Sequence, residues 1–244
     1  MIAYIEQNSA QQCASVNFFQ ALTGLQDMGW EIRYFQHLEQ IENHQRDELL
    51  VASIQTFRNG LSRLGIEPPT PFDYPQELSA FLGRKIWKST VNTIANNPDA
   101  WNVFIKPAVV TKKFTGRLVK STADLVGCGH QSYDTKIWCS EPVEFLSEWR
   151  CFVTYGRIKD VRPYKGNWRL HFDYQIIENA VKSFQSAPAA YALDFGLNSK
   201  GETLLVEAND GYSLGCYGLF PLDYAKLLSA RWAELTQTTD YCKF

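Results

Sequence analysis

Apolar residues recur along the chain in short bursts whose period changes several times, and those changes delimit its elements. Met1 to Ile5 is apolar and β-prone, Val16 to Met28 carries apolar residues at helical spacing until Gly29 stops it, and Glu31 to Phe35 alternates as a second strand. A β-α-β start is therefore predicted. A helix is expected from Asp47 to Leu64, closed by Gly65, after which Pro68, Pro69, Pro71 and Pro75 mark an irregular connection. A subdomain boundary is placed there, near residues 66 to 76. Gln76 to Asn96 reads as one or two helices with Leu78, Phe81, Leu82, Ile86, Val91 and Ile94 as the buried stripe, ended by Pro98.

Beyond Pro98 the pattern turns to strand and turn. Trp101 to Pro107 is a short β run ending at Lys106, Thr111 to Val119 forms a Lys/Gly hairpin, and Lys136 to Trp138 starts another strand. Trp149 to Tyr155 and Ile158 to Val161 flank Gly156 as a hairpin, and a helix follows over Gln175 to Phe184. Tyr191 to Phe195 and Thr203 to Val206 are strands joined by the turn Asn198-Ser199-Lys200-Gly201, and the last helix spans Asp223 to Leu235.

Composition narrows the function classes. A chain of 244 residues, 45% hydrophobic, can bury a large core, and its formal charge of −2 argues against a general electrostatic grip on nucleic acid or an anionic membrane. No stretch approaches the roughly 18 apolar residues of a membrane span, so a cytoplasmic protein is expected. Cys13, Cys128, Cys139, Cys151, Cys216 and Cys242 lack any C-x-x-C pair, and the four histidines lack ligand spacing, which speaks against zinc or a disulfide framework.

Three patterns carry chemistry. In the strand pair around Asp194 and Glu207, those two carboxylates lie side by side on one face, and Asn209, two residues on, points the same way. Three hard oxygen donors suit magnesium, although ordinary strand-end and turn residues would read identically. Lys106 ends a strand before the turn Lys112-Lys113-Phe114-Thr115-Gly116, where lysine charge and glycine backbone suit a phosphate; solvated surface lysines are the alternative. Pro142 to Arg150, followed by Arg162-Pro163-Tyr164-Lys165 and Arg169, alternates apolar residues with acids and guanidiniums fit for phosphate or carboxylate, or for exposed ion pairs.

The joint order of these elements (strand-Lys-Pro, a Lys/Gly loop, hydrophobic-Glu-Phe-Leu, Glu-x-Arg, Asp-Phe-Gly, Glu-x-Asn) resembles the ATP-grasp superfamily. Phe104-Ile105-Lys106-Pro107, Lys113-Phe114-Thr115-Gly116-Arg117, Glu148-Trp149-Arg150 with Arg162-Pro163-Tyr164-Lys165, and Val206-Glu207-Ala208-Asn209-Asp210-Gly211 are similar to its clade named for one arginine and two lysines in the active site. The resemblance covers about residues 84 to 235. It implies an α+β or α/β protein with the ATP-grasp fold: two α+β subdomains gripping ATP, here over residues 76–244, after a β-α-β pre-ATP-grasp subdomain at 1–75. Within the grasp domain, 101–142 would be the nucleotide flap and 143–235 the metal and substrate part.

The same resemblance implies roles. Lys106 and Lys113 would contact the nucleotide phosphates under the Thr111 to Val119 flap, Glu144, Phe145 and Leu146 would line the adenine, and Glu148 the ribose. Asp194, Glu207 and Asn209 would hold one or two magnesium ions. Arg150 would face the transferring phosphoryl group, with Arg162 and Lys165 on the acceptor carboxylate. The implied activity is ATP- and Mg2+-dependent ligation of a small-molecule or peptide carboxylate to an amine. A phosphotransferase on the same fold and a non-catalytic nucleotide-binding module are the alternatives, and oligomeric state is left open. One departure is clear: where many such ligases carry a Pro-Gly loop after Glu-x-Asn, this chain has Asp210-Gly211-Tyr212-Ser213-Leu214-Gly215.

Overall fold

The structure is a computed structural model that describes residues 1–108, 114–130 and 132–244. Its residues form two compact units, one made of Met1–Phe81 with Leu146–Phe244 and the other of Leu82–Phe145.

The larger unit begins as predicted. Strand β1 (Ile2–Glu6), helix α1 (Val16–Asp27) and strand β2 (Glu31–Phe35) follow one another, and β1 pairs in parallel with β2 and with β3 (Leu49–Val51) in the order β2-β1-β3. Ser15 caps α1 by accepting from the Phe18 amide, which satisfies one of the donors a helix start leaves open. The predicted helix from Asp47 is corrected: Leu49–Val51 is a fully buried parallel strand, and α2 spans only Ile54–Arg63. Three consecutive apolar residues at the head of a helical pattern extend it on paper, whereas a parallel strand covered on both faces needs such a run.

The second sheet of this unit runs, in spatial order, β11 (Thr203–Asp210), β10 (Ala190–Asn198), β8 (Phe145–Thr154) and β9 (Arg157–Gly166). Helix α4 (Tyr174–Ser183) comes between β9 and β10 in the chain. β8 and β9 form an antiparallel hairpin through Tyr155 and Gly156, both at positive φ as a two-residue mirror-type turn requires. The proline-rich connection is not idle: the Asp73 carbonyl accepts from the Ala208 amide and so covers the edge of β11. Helix α5 (Pro221–Thr236) packs on α1 and β10, and one continuous core runs from Ala3, Ile5 and Leu49 through Leu25, Leu227 and Ala230 to Phe152 and Ala192. Burial of that many side chains, at about 1.5 to 3 kcal/mol for each large aliphatic or aromatic one, is the main force holding the first and last thirds of the chain together.

The smaller unit is an antiparallel sheet of order β4-β7-β5-β6: β4 (Ile86–Thr90), β5 (Val103–Pro107), β6 (Arg117–Val119) and β7 (Lys136–Ser140), with the short helix α3 (Val91–Ala95). The expected helices over Gln76 to Asn96 are corrected as well. Gln76–Phe81 is a 3-10 helix, Ile86–Thr90 a strand and Val91–Ala95 a short helix, so of the expected stripe Leu78, Val91 and Ile94 are buried and Phe81, Leu82 and Ile86 half-buried. Val91, Ile94, Val103, Ile105 and Ile137 make a separate core for this unit. Among the described residues no helix is long and apolar enough to cross a membrane.

Candidate active site

The antiparallel register sets Asp194 of β10 opposite Glu207 of β11 and Ala192 opposite Asn209. Glu207 and Asn209, two apart, therefore share a face with Asp194. A bulge immediately after this pair sets Asp194↔Glu207 beside Phe195↔Leu205, so that Val206 is the extra residue; such a bulge twists a strand locally and aims its side chains. Glu207 and Asn209 are half-buried, and Asp194 is 2% exposed.

A carboxylate buried that deeply needs a partner, and β8, the neighbour of β10, supplies it. Arg150 donates from Nε to Asp194 Oδ1 and from Nη2 to Oδ2, both at 2.7 Å. Asn209 Nδ2 donates to Asp194 Oδ2 at 3.2 Å, and Arg150 Nη1 reaches the Gly215 carbonyl at 3.4 Å. Burial pushes the Asp194 carboxyl up from its ordinary value, against the hydrogen bonds and charge of Arg150, which pull it down. Burial by itself would lower the Arg150 pKa, but the hydrogen bonds and charge of Asp194 outweigh it and the guanidinium is held more firmly protonated.

A second cluster stands on β8 and β9. Glu148, opposite Lys165 in register, accepts from Lys165 Nζ at 2.5 Å and from the Tyr164 hydroxyl at 2.8 Å. Burial, then the charges of Asp194 and Glu148, push the Tyr164 phenol far above its usual pKa, which keeps it a donor. Arg162, opposite Arg150, pairs with Asp160 at 2.8 Å. Tyr164 stacks on Tyr217 with ring centroids 4.8 Å apart, and the Arg150 guanidinium lies 4.8 Å from the Tyr217 ring.

Of the residues expected from sequence, the larger unit thus brings together Glu148, Arg150, Lys165, Asp194, Glu207 and Asn209, with Arg162 beside them. Leu146 is exposed, and its carbonyl accepts from the Asn167 amide. The smaller unit carries Lys106, half-buried on β5 opposite Trp138, with Gly116 against its stem: a Cβ on Gly116 would meet Phe104 at 2.7 Å and Lys106 Cβ at 3.3 Å. Glu144 is exposed there, and Phe145 lies under the Arg84 guanidinium at 5.6 Å. Lys113, with Thr111 and Lys112, lies outside the described residues. Sequence reasoning gave no role to Tyr164 or Tyr217, and the positive φ of Tyr217 leaves no mark in the residue pattern.

Asp194, Glu207 and Asn209 are oxygen-bearing side chains of the kind a hard divalent cation takes, while among the described residues no group of three or more His, Cys, Asp or Glu side chains is placed to hold a metal ion. The two Asp194 oxygens offer about four lone-pair directions and among the described residues accept three hydrogen bonds, two from Arg150 and one from the Asn209 amide nitrogen. Asp194 is thus left with about one lone-pair direction for a further partner.

The second family of the ATP-grasp clade named for one arginine and two lysines matches residues 81–227. No curated protein matches the sequence. Among solved structures, the chain is similar to D-alanine–D-alanine ligase from Bacillus anthracis complexed with ATP, with a TM-score of 0.61 and 13% identity over 97% of each chain. N5-carboxyaminoimidazole synthetase from Staphylococcus aureus aligns at TM-score 0.58 and 11% identity, covering 98% of this chain and 77% of that one. D-cycloserine synthetase DcsG aligns at TM-score 0.57 and 12% identity, over 95% of this chain and 100% of that one. At these identities the likeness establishes the fold.

Proposed function

The chain belongs to the ATP-grasp domains of the one-arginine, two-lysine clade, in its second family, and on that premise we propose that it is an ATP- and Mg2+-dependent carboxylate–amine ligase working through an acylphosphate. The observation that carries the reading is the register-matched pair Asp194 and Glu207 with Asn209 beside a buried Arg150, all inside the segment the family covers. The similar structures include ligases, one of them complexed with ATP, which supports the reaction class. Acid and amine are taken to be small molecules or peptides, and the protein to act in the cytoplasm.

In the proposed reaction a substrate carboxylate oxygen attacks the γ-phosphorus and the bond to ADP breaks. The amine nitrogen then attacks the acyl carbon, phosphate leaves with the acyl C–O bond, and the amine loses a proton. Magnesium on Glu207, Asn209 and Asp194 would supply the positive charge that lets two anions approach. Lys106 and Lys113 are assigned to the nucleotide phosphates, and the backbone around Glu144, Phe145 and Leu146 to the adenine. Glu148 is assigned to the ribose; since it already accepts from Lys165 and Tyr164, a ribose hydroxyl would share those oxygens. Arg150 keeps N–H groups beyond its two bonds to Asp194 for the transferring phosphoryl group. Arg162 and Lys165 rest on Asp160 and Glu148, so a substrate carboxylate would replace one anionic partner by another. The division at 75/76, with a flap part at 101–142, belongs to the same proposal.

Calorimetric titration with a non-hydrolysable ATP analogue, with and without magnesium, tests the premise; magnesium-dependent binding is expected. Release of ADP and phosphate only when acid and amine are both present is the signature of ligation. Phosphate retained on the product with no amine supplied would replace that reading by phosphotransfer.

A further inference from the structure

Arg150 is held on its edge by Asp194, yet a guanidinium also has two faces, and what lies on them decides where its remaining N–H groups point. The ten residues Gly211 to Phe220, which link β11 to α5, touch Arg150 twice: the Gly215 carbonyl at Nη1 and the Tyr217 ring, 4.8 Å from the guanidinium carbon. Gly215 and Tyr217 lie against each other, since a Cβ on Gly215 would sit 3.1 Å from the Tyr217 ring.

Tyr217 reaches this position at a backbone cost. Its φ is +44°, in the left-handed region that costs a side-chain-bearing residue about 1 to 2 kcal/mol, and Gly218 follows at +79°. It is also 43% exposed, whereas Arg150 beneath it is 6% exposed, so the ring stands between the guanidinium and water. On β9 Tyr164 stacks on Tyr217 at an interplanar angle of 20° and donates to Glu148. Tyr217 is thus the junction between the Glu148 cluster and the Arg150–Asp194 pair, six residues past the last motif residue, Gly211.

Resting on the ligase reading for its functional part, we propose that Tyr217 is the positioning residue of Arg150: its π-face fixes the guanidinium plane against Asp194 and thereby sets which N–H groups are offered to the transferring phosphoryl group. Ordering of the loop and orientation of the Arg150–Asp194 pair are then one coupled event. An aliphatic residue of similar bulk would fill the space without orienting the charge, while phenylalanine would preserve the role.

Side-chain 15N NMR of the full chain tests this without any ligand. The Arg150 Nε–H signal, identified by its loss in Arg150→Lys, is expected to exchange slowly with water in the wild type and in Tyr217→Phe, and about tenfold faster in Tyr217→Leu. The buried Arg231 Nε–H, bonded to Asp210, serves as internal reference and is expected to stay slow in all of them. Unchanged Arg150 exchange in Tyr217→Leu overturns the proposal, as does faster exchange of both arginines together, which would make Tyr217 a general packing residue. The functional arm is the magnesium-dependent affinity for the ATP analogue, expected to fall about tenfold in Tyr217→Leu and to persist in Tyr217→Phe; an unchanged affinity in Tyr217→Leu overturns it. If the wild type bound no analogue, the ligase reading would fall, and the exchange measurement would still decide what holds Arg150.

Discussion

Two arginines grip two aspartates in the same bidentate way on the same four-stranded sheet, and the surroundings of the two pairs differ. Arg231 of α5 donates Nε and Nη2 to Asp210 at 2.5 and 2.8 Å, while its Nη1 takes Glu234 at 2.7 Å, and Glu234 in turn accepts from the Ala189 amide. Every nitrogen of that guanidinium is committed, and the network ties the last helix to the ends of β10 and β11. Arg150 makes the same two bonds to Asp194, but among the described residues its Nη1 meets the Gly215 carbonyl at 3.4 Å rather than a carboxylate, and its neighbours Glu207 and Asn209 are half-buried polar groups. Since Asn209 and Asp210 are consecutive on a strand, the two pairs serve opposite faces. A pair whose third nitrogen is held by a second carboxylate behaves as a rivet; a pair whose third nitrogen meets a long carbonyl contact, next to half-buried oxygen-bearing side chains, is better suited to take a further partner.

The largest expected effect makes the pairs look alike. Arg231→Ala and Arg150→Ala should each lower unfolding stability by about 3 to 5 kcal/mol, because each strands a buried carboxylate. Urea midpoints measure this, and a loss under about 1 kcal/mol for either would remove it from the buried-pair class. Next come the flanking acids, which should separate the faces. Glu207→Ala is expected to reduce turnover by about 100- to 1,000-fold with the midpoint nearly unchanged. Glu234→Ala should leave turnover intact and cost about 1 kcal/mol or less of stability, as Glu234 is 40% exposed. Equal turnover in the two variants would erase the distinction drawn between the faces.

Smaller still are the effects of replacing whole pairs by apolar residues. Arg231→Met with Asp210→Leu, and Arg150→Met with Asp194→Leu, should each restore stability to within about 2 kcal/mol of the wild type. Only the first double variant is expected to keep magnesium-dependent nucleotide binding in calorimetry. Retention by the second would show that Glu207 and Asn209 hold the metal unaided.

The same contrast explains what could be read from the chain. The placement of Asp194, Glu207 and Asn209 on one face was legible because strand alternation and one tight turn nearly fix it, and Arg150 and Lys165 were singled out by family spacing, with their roles part of the proposed reaction. The function of Arg231 was hidden, although a signal existed: it is the charged residue in the run Leu227 to Ala233, where Leu227, Leu228, Ala230, Trp232 and Ala233 are all buried, so a buried acid had to answer it. Tyr217 had no such signal, since its place depends on a left-handed backbone and on Tyr164 from another strand. Leu49–Val51 and Ile86–Thr90 were misread because strands this short carry too few residues to distinguish period two from the tail of a helix.

The smallest effect distinguishes the faces by pH. His44 is buried against the α5 side, its ring 5.4 Å from that of Trp232, the residue after Arg231, and 5.1 Å from that of Tyr4, with Nε2 on the Glu48 carbonyl at 2.8 Å. Burial lowers its pKa below the usual histidine value, against the pull of Glu48 and Asp47. A lowered folded-state pKa means that the unfolded chain takes up the proton first as pH falls. Stability from neutral His44 is therefore fully present above the unfolded pKa, near 6.5, and is lost as pH drops through the folded value. Urea midpoints measured downward from pH 7.5 should decline in the wild type and decline less in His44→Phe. Because His44 packs on the helix that carries Arg231, His44→Phe and Arg231→Ala are expected to couple by about 0.5 kcal/mol or more, whereas His44→Phe and Arg150→Ala should add. Additivity in both combinations would mean that Arg231 anchors the helix end independently of the aromatic packing beneath it, and that the rivet is the Asp210 contact alone.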